Sequence, residues 1–147
     1  MKKLVSIIAT FLLTIVAVQD LSARDFPITF DQLPANAQAF VKQYFKVENI
    51  ASVWKDDDIY DQDYKVYFND GTQIEFFANG EWEEIKTRAY AVPAKLIPNG
   101  IAQFVNKNYP QIDIYKIQKK HYGYEVELTN GLDLEFNLNG QFLRIDD

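Results

Sequence analysis

Two Asn/Asp-Gly pairs, nine residues apart, occur twice in this chain and constrain its fold more than any other feature. Residues 69–82 read NDGTQIEFFANGEW, and residues 129–142, sixty positions later, read TNGLDLEFNLNGQF. Tight two-residue hairpins need positive φ at their central residues, which Asn, Asp and Gly tolerate best. Each copy therefore predicts two hairpin turns with strands on either side.

Apolar and polar residues alternate around these turns. The apolar positions are Tyr64, Val66, Phe68, Ile74, Phe76 and Ala78 in the first copy, and Tyr124, Val126, Leu128, Leu132, Leu134, Phe136 and Leu138 in the second. A short strand follows each second turn, with Trp82 and Ile85 in one copy and Phe142 and Ile145 in the other. A period of two with one buried face is typical of antiparallel sheets.

A helical pattern precedes each set of strands. Pro34 suits the first turn of a helix, and apolar residues follow it at helical spacing: Ala37, Phe40, Val41, Tyr44 and Phe45. The second copy has Pro98 followed by Ile101, Phe104, Val105 and Tyr109, at an offset of 64 rather than 60. Such stripes predict amphipathic helices. The four extra residues of the first copy are assigned to the loop 56–63, whose counterpart is a turn at 119–123.

We therefore predict an α+β fold of two tandem repeats, each a helix plus a four-stranded antiparallel sheet. A unit of about 60 residues buries too little surface to be stable alone, so the two should share a core. The predicted divisions are a signal peptide at 1–23, a first repeat at 24–88 and a second at 89–147. Residues 88–96 form the junction, and residues 26–30 are expected to add an extended edge.

The N-terminal residues predict export. Lys2 and Lys3 precede an apolar run at 4–18, and small residues follow as far as Ala23, which is the pattern of a cleaved signal peptide. The run is shorter than the roughly 20 residues of a membrane span. We expect a periplasmic or secreted protein without a stable membrane span after cleavage; a retained N-terminal anchor is the alternative.

Composition excludes several classes of function. The net charge is −6, which argues against a nucleic-acid partner because phosphate binding needs clustered Lys and Arg. The chain has no Cys, so thiol catalysis, disulfides and Cys-based metal sites are excluded. The sequence indicates no cofactor.

Four segments resemble a known family: DFPITFDQLPANAQAFVKQYF, YKVYFNDGTQIEFFANGEWEEI, VPAKLIPNGIAQFVNKNYP and YEVELTNGLDLEFNLNGQFLRID. They are similar to the PepSY-like, beta-lactamase-inhibitor-like proteins exported by Bacteroides-type bacteria, over residues 25–147. The resemblance implies a tandem α+β fold like that of beta-lactamase inhibitor protein, with a concave sheet that can hold a partner.

No catalytic residues are predicted. His121 is the single histidine and Ser52 is the one serine after residue 23, yet neither has a catalytic motif around it, and an exposed turn residue is the simpler interpretation of His121. Glu81, Glu83 and Glu84 could supply paired carboxylates for glycoside cleavage, which requires a cleft that a turn and an exposed strand do not form.

The loop 56–63 has five carboxylates in eight residues, DDDIYDQD. Carboxylate oxygens are the ligands that Ca²⁺ prefers, but the glycine and terminal glutamate of a calcium loop are missing at the required spacing. A solvated hairpin tip, in which like charges discourage edge pairing, is the alternative. No metal ligand is assigned.

The two copies differ on the sheet face opposite the predicted core. Tyr67 and Phe77 of the first copy correspond to Glu127 and Asn137 of the second. Exposed aromatic side chains are common in recognition surfaces, so we predict a binding surface formed by Trp54, Tyr60, Tyr67 and Phe77. Packing between the two repeats, or a homodimer contact, would explain the same residues.

These observations together predict a non-enzymatic exported module that binds a protein or peptide partner of the bacterial envelope in the periplasm, with inhibition of an enzyme as one form of that binding. The alternative is an envelope protein that binds calcium or a small ligand through the acidic hairpin 56–63.

Overall fold

The computed structural model describes residues 25–57 and 62–146. The predicted signal peptide, Tyr60 and the centre of the acidic loop lie outside these residues. The helices are α1 (Ala35–Tyr44) and α2 (Asn99–Asn108). The strands are β1 (Asp25–Ile28), β2 (Ile50–Asp56), β3 (Tyr64–Phe68), β4 (Gln73–Phe76), β5 (Trp82–Lys86), β6 (Ile114–Lys120), β7 (Gly123–Leu128), β8 (Asp133–Asn137) and β9 (Phe142–Asp146).

The nine strands form one antiparallel sheet in sequence order, β1 to β9. This corrects the predicted four-stranded sheets, because β5 pairs directly with β6 and joins the two halves. Ile85 lies opposite Ile117 in that pair, and both side chains are fully buried. The Thr87 amide extends the pairing by donating to the Tyr115 carbonyl at 2.8 Å. An exposed apolar edge on β5 is thereby removed.

The four Asn/Asp-Gly turns lie where they were predicted. Gly71 and Gly131, for example, have a φ of +87°, a conformation that costs other residues steric strain. The Asp70 side chain accepts a hydrogen bond from the Thr72 amide at 2.8 Å. This turn chemistry closes the hairpin β3–β4, as its counterpart closes β7–β8.

Both helices cover the same face of the sheet. Phe40 of α1 meets Phe76 edge-on at 5.8 Å, and Phe104 of α2 meets Phe136 edge-on at 5.5 Å. Phe76 and Phe136 are fully buried, and the buried apolar side chains form one core. We call the sheet face opposite these helices the open face.

The connector 88–96 packs against the sheet. The Val92 side chain is buried, and its amide donates to the Ile114 carbonyl at 2.8 Å. The Tyr90 hydroxyl donates to Asp70 Oδ2 at 2.8 Å and lies 3.1 Å from Thr72 Oγ1. The connector is therefore held to β6 and to the β3–β4 turn.

The extra residues of the first half fall between β2 and β3, as predicted. Residues 57–63 separate β2 from β3, whereas only His121 and Tyr122 separate β6 from β7. The predicted turn at 119–123 is too long, because Lys119 pairs with Tyr124 and Lys120 with Gly123. Pairing therefore continues to the end of β6.

Candidate functional site

The open face changes in character across the sheet. One row of neighbouring positions reads Ser52, Tyr67, Gln73, Lys86, Lys116, Glu127 and Asp133. The next reads Trp54, Lys65, Glu75, Glu84, Gln118, Glu125, Glu135 and Arg144. The aromatic side chains lie on β2 and β3, and carboxylates dominate on β7 and β8.

Trp54 and Tyr67 line a groove of about 410 Å³ together with Asp25 and Ser52, which we call the Trp54 groove. Its shape follows from the pairing of β2 with β3, which puts Ser52 opposite Tyr67. The Trp54 indole donates to Ser52 Oγ at 3.0 Å, and this hydrogen bond fixes the ring. The groove therefore presents two half-buried aromatic rings, of which Trp54 is held in a set orientation.

A charged pair lies beside the Trp54 groove. Lys65 Nζ is 3.7 Å from Asp25 Oδ2, and Lys65 lies opposite Trp54 in the sheet. Burial acts to lower the pKa of Lys65, but the carboxylates of Asp25 and Glu75 outweigh it and raise that pKa. The ammonium is thus charged at neutral pH and gives the groove a polar rim.

The predicted aromatic surface is not brought together as one patch. Trp54 and Tyr67 share a groove, whereas Phe77 lines a second groove of about 520 Å³ with residues of β5, β6 and the turn after β6. Gln73 lies opposite Tyr67. Phe77 follows Gln73 by four residues, which is about 13 Å in an extended chain, so Phe77 is too far along the sheet to share a groove with Tyr67. Tyr60 lies outside the described residues.

The second groove, which we call the Phe77 groove, includes His121. His121 is exposed and meets Tyr122 edge-on at 5.1 Å. Lys119 Nζ lies 4.3 Å from the Trp82 ring centroid, and burial lowers the pKa of Lys119. Ser52 lies in the Trp54 groove, so the fold does not bring serine and histidine together as nucleophilic catalysis would require.

An ion-pair network occupies the middle of the open face. Lys116 Nζ lies 2.7 Å from Glu127 and 3.5 Å from Glu84, and the Tyr115 hydroxyl donates to Glu127. Burial acts to raise the pKa of Glu127, but the hydrogen bonds from Lys116 and Tyr115 outweigh it and lower that pKa. The hydrogen bond that Tyr115 donates to Glu127 raises the pKa of Tyr115 to about 12. These groups satisfy one another within the chain.

A carboxylate cluster lies at the far end of the open face. One oxygen each of Glu125, Glu135 and Asp146 lies within 4.8 Å of the others. Glu135 is only 5% exposed; Arg144 binds both its oxygens, at 2.9 and 3.0 Å, and the Tyr122 hydroxyl donates to it at 2.9 Å. Burial, with Glu135 close by, raises the pKa of Tyr122 to about 12.

This cluster was missed from the sequence because its members come from β7, β8 and β9. A divalent cation such as Ca²⁺ would use three such carboxylates, although it would have to share Glu135 with Arg144. In the acidic hairpin, the Asp56 amide donates to the Asp63 carbonyl at 2.8 Å and closes the base. Residues 58–61 lie outside the described part of the chain.

Within the described ranges, neither helix has the length and apolar character needed to cross a membrane.

Comparisons with known proteins place these features in a family. Residues 62–144 match the family model described as "Putative beta-lactamase-inhibitor-like, PepSY-like". No curated protein sequence matches the chain.

Three solved structures are similar over most of the chain. A Bacteroides vulgatus protein, described as "a putative periplasmic protein from DUF2874 family", is 34% identical, with a TM-score of 0.79 over 86% of this chain and 99% of that one. A Bacteroides thetaiotaomicron protein, described as "a putative calcium-regulated periplasmic protein", is 36% identical, with a TM-score of 0.80 over 84% of this chain and 97% of that one.

A third, from Bacteroides vulgatus and described as "a putative periplasmic protein of unknown function", is 31% identical, with a TM-score of 0.78 over 84% of this chain and 100% of that one. All three are described as periplasmic, which confirms the predicted location. The mixed fold of helices and antiparallel sheet is likewise confirmed.

Proposed function

We propose a function for this chain as a member of the beta-lactamase-inhibitor-like, PepSY-like family, to which it belongs. It is a non-enzymatic module that binds a protein or peptide in the periplasm. The observation that carries this proposal is the Trp54 groove. Aromatic rings supply large contact area at low cost in conformational entropy, and they are enriched where partners bind most strongly.

The groove has the features of a small recognition site. Trp54 is oriented by Ser52, and Asp25 with Lys65 adds charged groups at the rim. A partner that inserts an apolar side chain beside Tyr67 and meets the rim with polar groups would bury both rings. The separation of Ser52 from His121 supports a function without catalysis.

The same proposal treats the chain as two tandem repeats, residues 24–88 and 89–147. In support, α1 precedes β2–β5 as α2 precedes β6–β9, and the phenylalanine pairs between helix and sheet meet at 82° in both halves. On this interpretation the second repeat stabilises the sheet and the first presents the binding surface.

The experiment compares single replacements in the two grooves. The protein and its Tyr67→Ser and Phe77→Ser variants are used to capture partners from envelope extract, with Asp133→Ser as a control on the open face outside both grooves. We expect Tyr67→Ser to abolish capture and Asp133→Ser to preserve it. Unchanged capture by Tyr67→Ser would remove the Trp54 groove from consideration, and a loss with Phe77→Ser alone would move the site.

Calcium binding is the second candidate, favoured by the description of the 36% identical relative as calcium-regulated. Two places offer carboxylates, the acidic hairpin 56–63 and the cluster of Glu125, Glu135 and Asp146. Calorimetric titration with Ca²⁺ separates them: heat lost in Asp146→Asn indicates the cluster, and heat lost in a triple Asp→Asn variant at 56, 57 and 63 indicates the hairpin. No heat at millimolar Ca²⁺ would end this candidate.

A further inference from the structure

Strand β9 is the last strand of the sheet, and no strand covers its outer edge among the described residues. Four of the six exposed large apolar side chains in the described chain lie on β9 or the turn before it: Leu138, Phe142, Leu143 and Ile145. An exposed, apolar strand edge is a template for pairing with another chain. The opposite edge, β1, contains Pro27, which lacks the amide that such pairing uses.

Strand β5 is the equivalent of β9 in the first half, and it shows which kind of strand can pair along this edge. Ile85 of β5 is sixty residues before Ile145 of β9. Ile85 is fully buried, because β6 pairs along β5 and puts Ile117 opposite it. Ile145 is 43% exposed. The equivalent edge of β9 therefore matches an antiparallel strand that carries an apolar residue opposite Ile145.

The sequence of β9 is complementary to itself in that arrangement. An antiparallel pair with its two-fold axis at Ile145 places Ile145 opposite its own copy. It also places Arg144 opposite Asp146 of the second copy, on the open face, since alternate residues point to opposite faces. Opposite charges in such cross-strand positions are favourable.

The charges around Asp146 also favour pairing of β9 with a second copy of itself. Its carboxylate lies within 4.8 Å of those of Glu125 and Glu135. Within the described chain this group has ion pairs to Arg144 and Lys120, the latter at 3.5 Å from Glu125. Two cations face three carboxylates in each chain. In the antiparallel pair each Arg144 would lie between Glu135 of its own chain and Asp146 of the other, so Asp146 gains a neighbouring guanidinium although the pair adds no net charge.

We infer that β9 pairs antiparallel with β9 of a second copy of this chain, in register about Ile145, and joins two sheets into one. The paired segment is short, so the interface falls below the size of stable dimers and the association is reversible. This dimer uses the β9 edge and leaves the Trp54 groove free, so it is independent of the proposed partner binding.

Disulfide formation tests the register, because the chain has no cysteine of its own. Residues opposite each other in an antiparallel pair have Cα atoms about 4.5–5.5 Å apart, which suits a disulfide. Under mild oxidation we expect Ile145→Cys to give a covalent dimer at least about tenfold faster than Leu138→Cys or Phe26→Cys, which are exposed controls on the preceding turn and on β1. Equal rates at the three positions would overturn the inference.

Analytical ultracentrifugation tests the charge complementarity. The protein should show a concentration-dependent dimer, and Asp146→Lys, which puts Lys opposite Arg144, should weaken it by about tenfold or more. The same change removes a carboxylate from the cluster, so the thermal midpoint should stay the same or rise, and a loss of dimer cannot be attributed to unfolding. A protein that is monomeric up to about 1 mM, or a dimer that Asp146→Lys leaves unchanged, would overturn the inference.

Discussion

The two halves of the molecule bury similar side chains and display different ones. Equivalent core positions pair Val53 with Ile117, Val66 with Val126, Ile74 with Leu134 and Phe76 with Phe136, and all eight side chains are buried. Equivalent open-face positions pair Ser52 with Lys116, Trp54 with Gln118, Tyr67 with Glu127, Gln73 with Asp133 and Phe77 with Asn137. Packing against the helices constrains the first set, because interiors are close-packed. Residues on the open face do not pack against the helices, so they can differ between the halves. A binding role specific to one half can therefore arise there.

The second half also uses its open-face groups within the chain. Lys116 and Tyr115 bind Glu127, and Arg144 binds Glu135. In the first half, Trp54 and Tyr67 line a groove instead. The difference indicates that the ion pairs of one half support the sheet, while the aromatic rings of the other are available for contact with a partner. Four substitution experiments sharpen this comparison.

The equivalence of the cores predicts the largest effects. Phe76→Ala and Phe136→Ala should each lower the free energy of unfolding by about 3–5 kcal/mol, because both rings are fully buried and truncation leaves a cavity. Each variant should still unfold in a single urea transition, since β5 and β6 join the halves. Phe142→Ala, at a ring that is 37% exposed, is the milder control. Two separate transitions would show that the halves unfold independently.

The close approach of the β8 backbone makes Gly123 difficult to replace. A Cβ there would lie 2.0 Å from the Phe136 carbonyl oxygen at a φ of +153°, so Gly123→Ala should cost about 3 kcal/mol in urea unfolding. Gly131→Ala is the control, with φ +87° but open space around it, and should cost about 1 kcal/mol. Equal costs at the two positions would show that the β6–β7 turn yields without strain.

The ion-pair network predicts a pH-dependent effect confined to the second half. Glu127→Gln should cost about 2 kcal/mol at neutral pH, since it removes a charged hydrogen-bond acceptor from Lys116 and Tyr115. The pKa of Glu127 is lowered in the folded protein, so its contribution is present above the unfolded pKa and is lost as pH falls through the folded pKa. The stabilities of the two proteins should therefore converge in acid.

The position equivalent to Glu127 provides the control. Tyr67→Phe should change the stability by less than about 0.5 kcal/mol at any pH in the same titration, as surface changes outside such networks do. A cost for Tyr67→Phe as large as that for Glu127→Gln would contradict the division of roles between the halves.

The smallest effect is a gain in stability. Burial, followed by Glu127 and Glu125, raises the pKa of Asp133, so its carboxylate opposes folding above that pKa. Asp133→Asn, which resembles the neutral Gln73 at the equivalent position, should raise the stability at pH 7 by a few tenths of a kcal/mol, with screening by solvent limiting the gain. The gain should disappear as pH falls below the unfolded pKa of aspartate. Thermal melts at both pH values measure it, and a loss of stability at pH 7 would contradict it.

Local patterns predicted the elements well, because turns, alternation and helical stripes depend on neighbours in the sequence. The continuous sheet was not predictable, since the pairing of Ile85 with Ile117 depends on how two distant segments meet. The binding surface stays a prediction, and the grouping of its side chains could be foreseen only in part. Trp54 and Tyr67 share a groove because β2 pairs with β3, whereas the position of Phe77, directly after β4, puts it in another groove.

The carboxylate cluster could be recognised only after three strands were in register. Glu125, Glu135 and Asp146 are about ten residues apart in sequence, and no local motif relates them. Their proximity follows from the pairing of Glu125 with Glu135 and from the position of Asp146 on β9, where it lies opposite Asp133 of β8.

Photo-crosslinking in the periplasm tests most directly the claim that the first half presents the binding surface. A photoreactive phenylalanine analogue replaces Tyr67 in one variant and the equivalent Glu127 in another, and the adducts are identified after irradiation of living cells. The account predicts a discrete adduct with a periplasmic protein or peptide at position 67 and none at 127. Adducts at 127 alone, or none at 67, would contradict it.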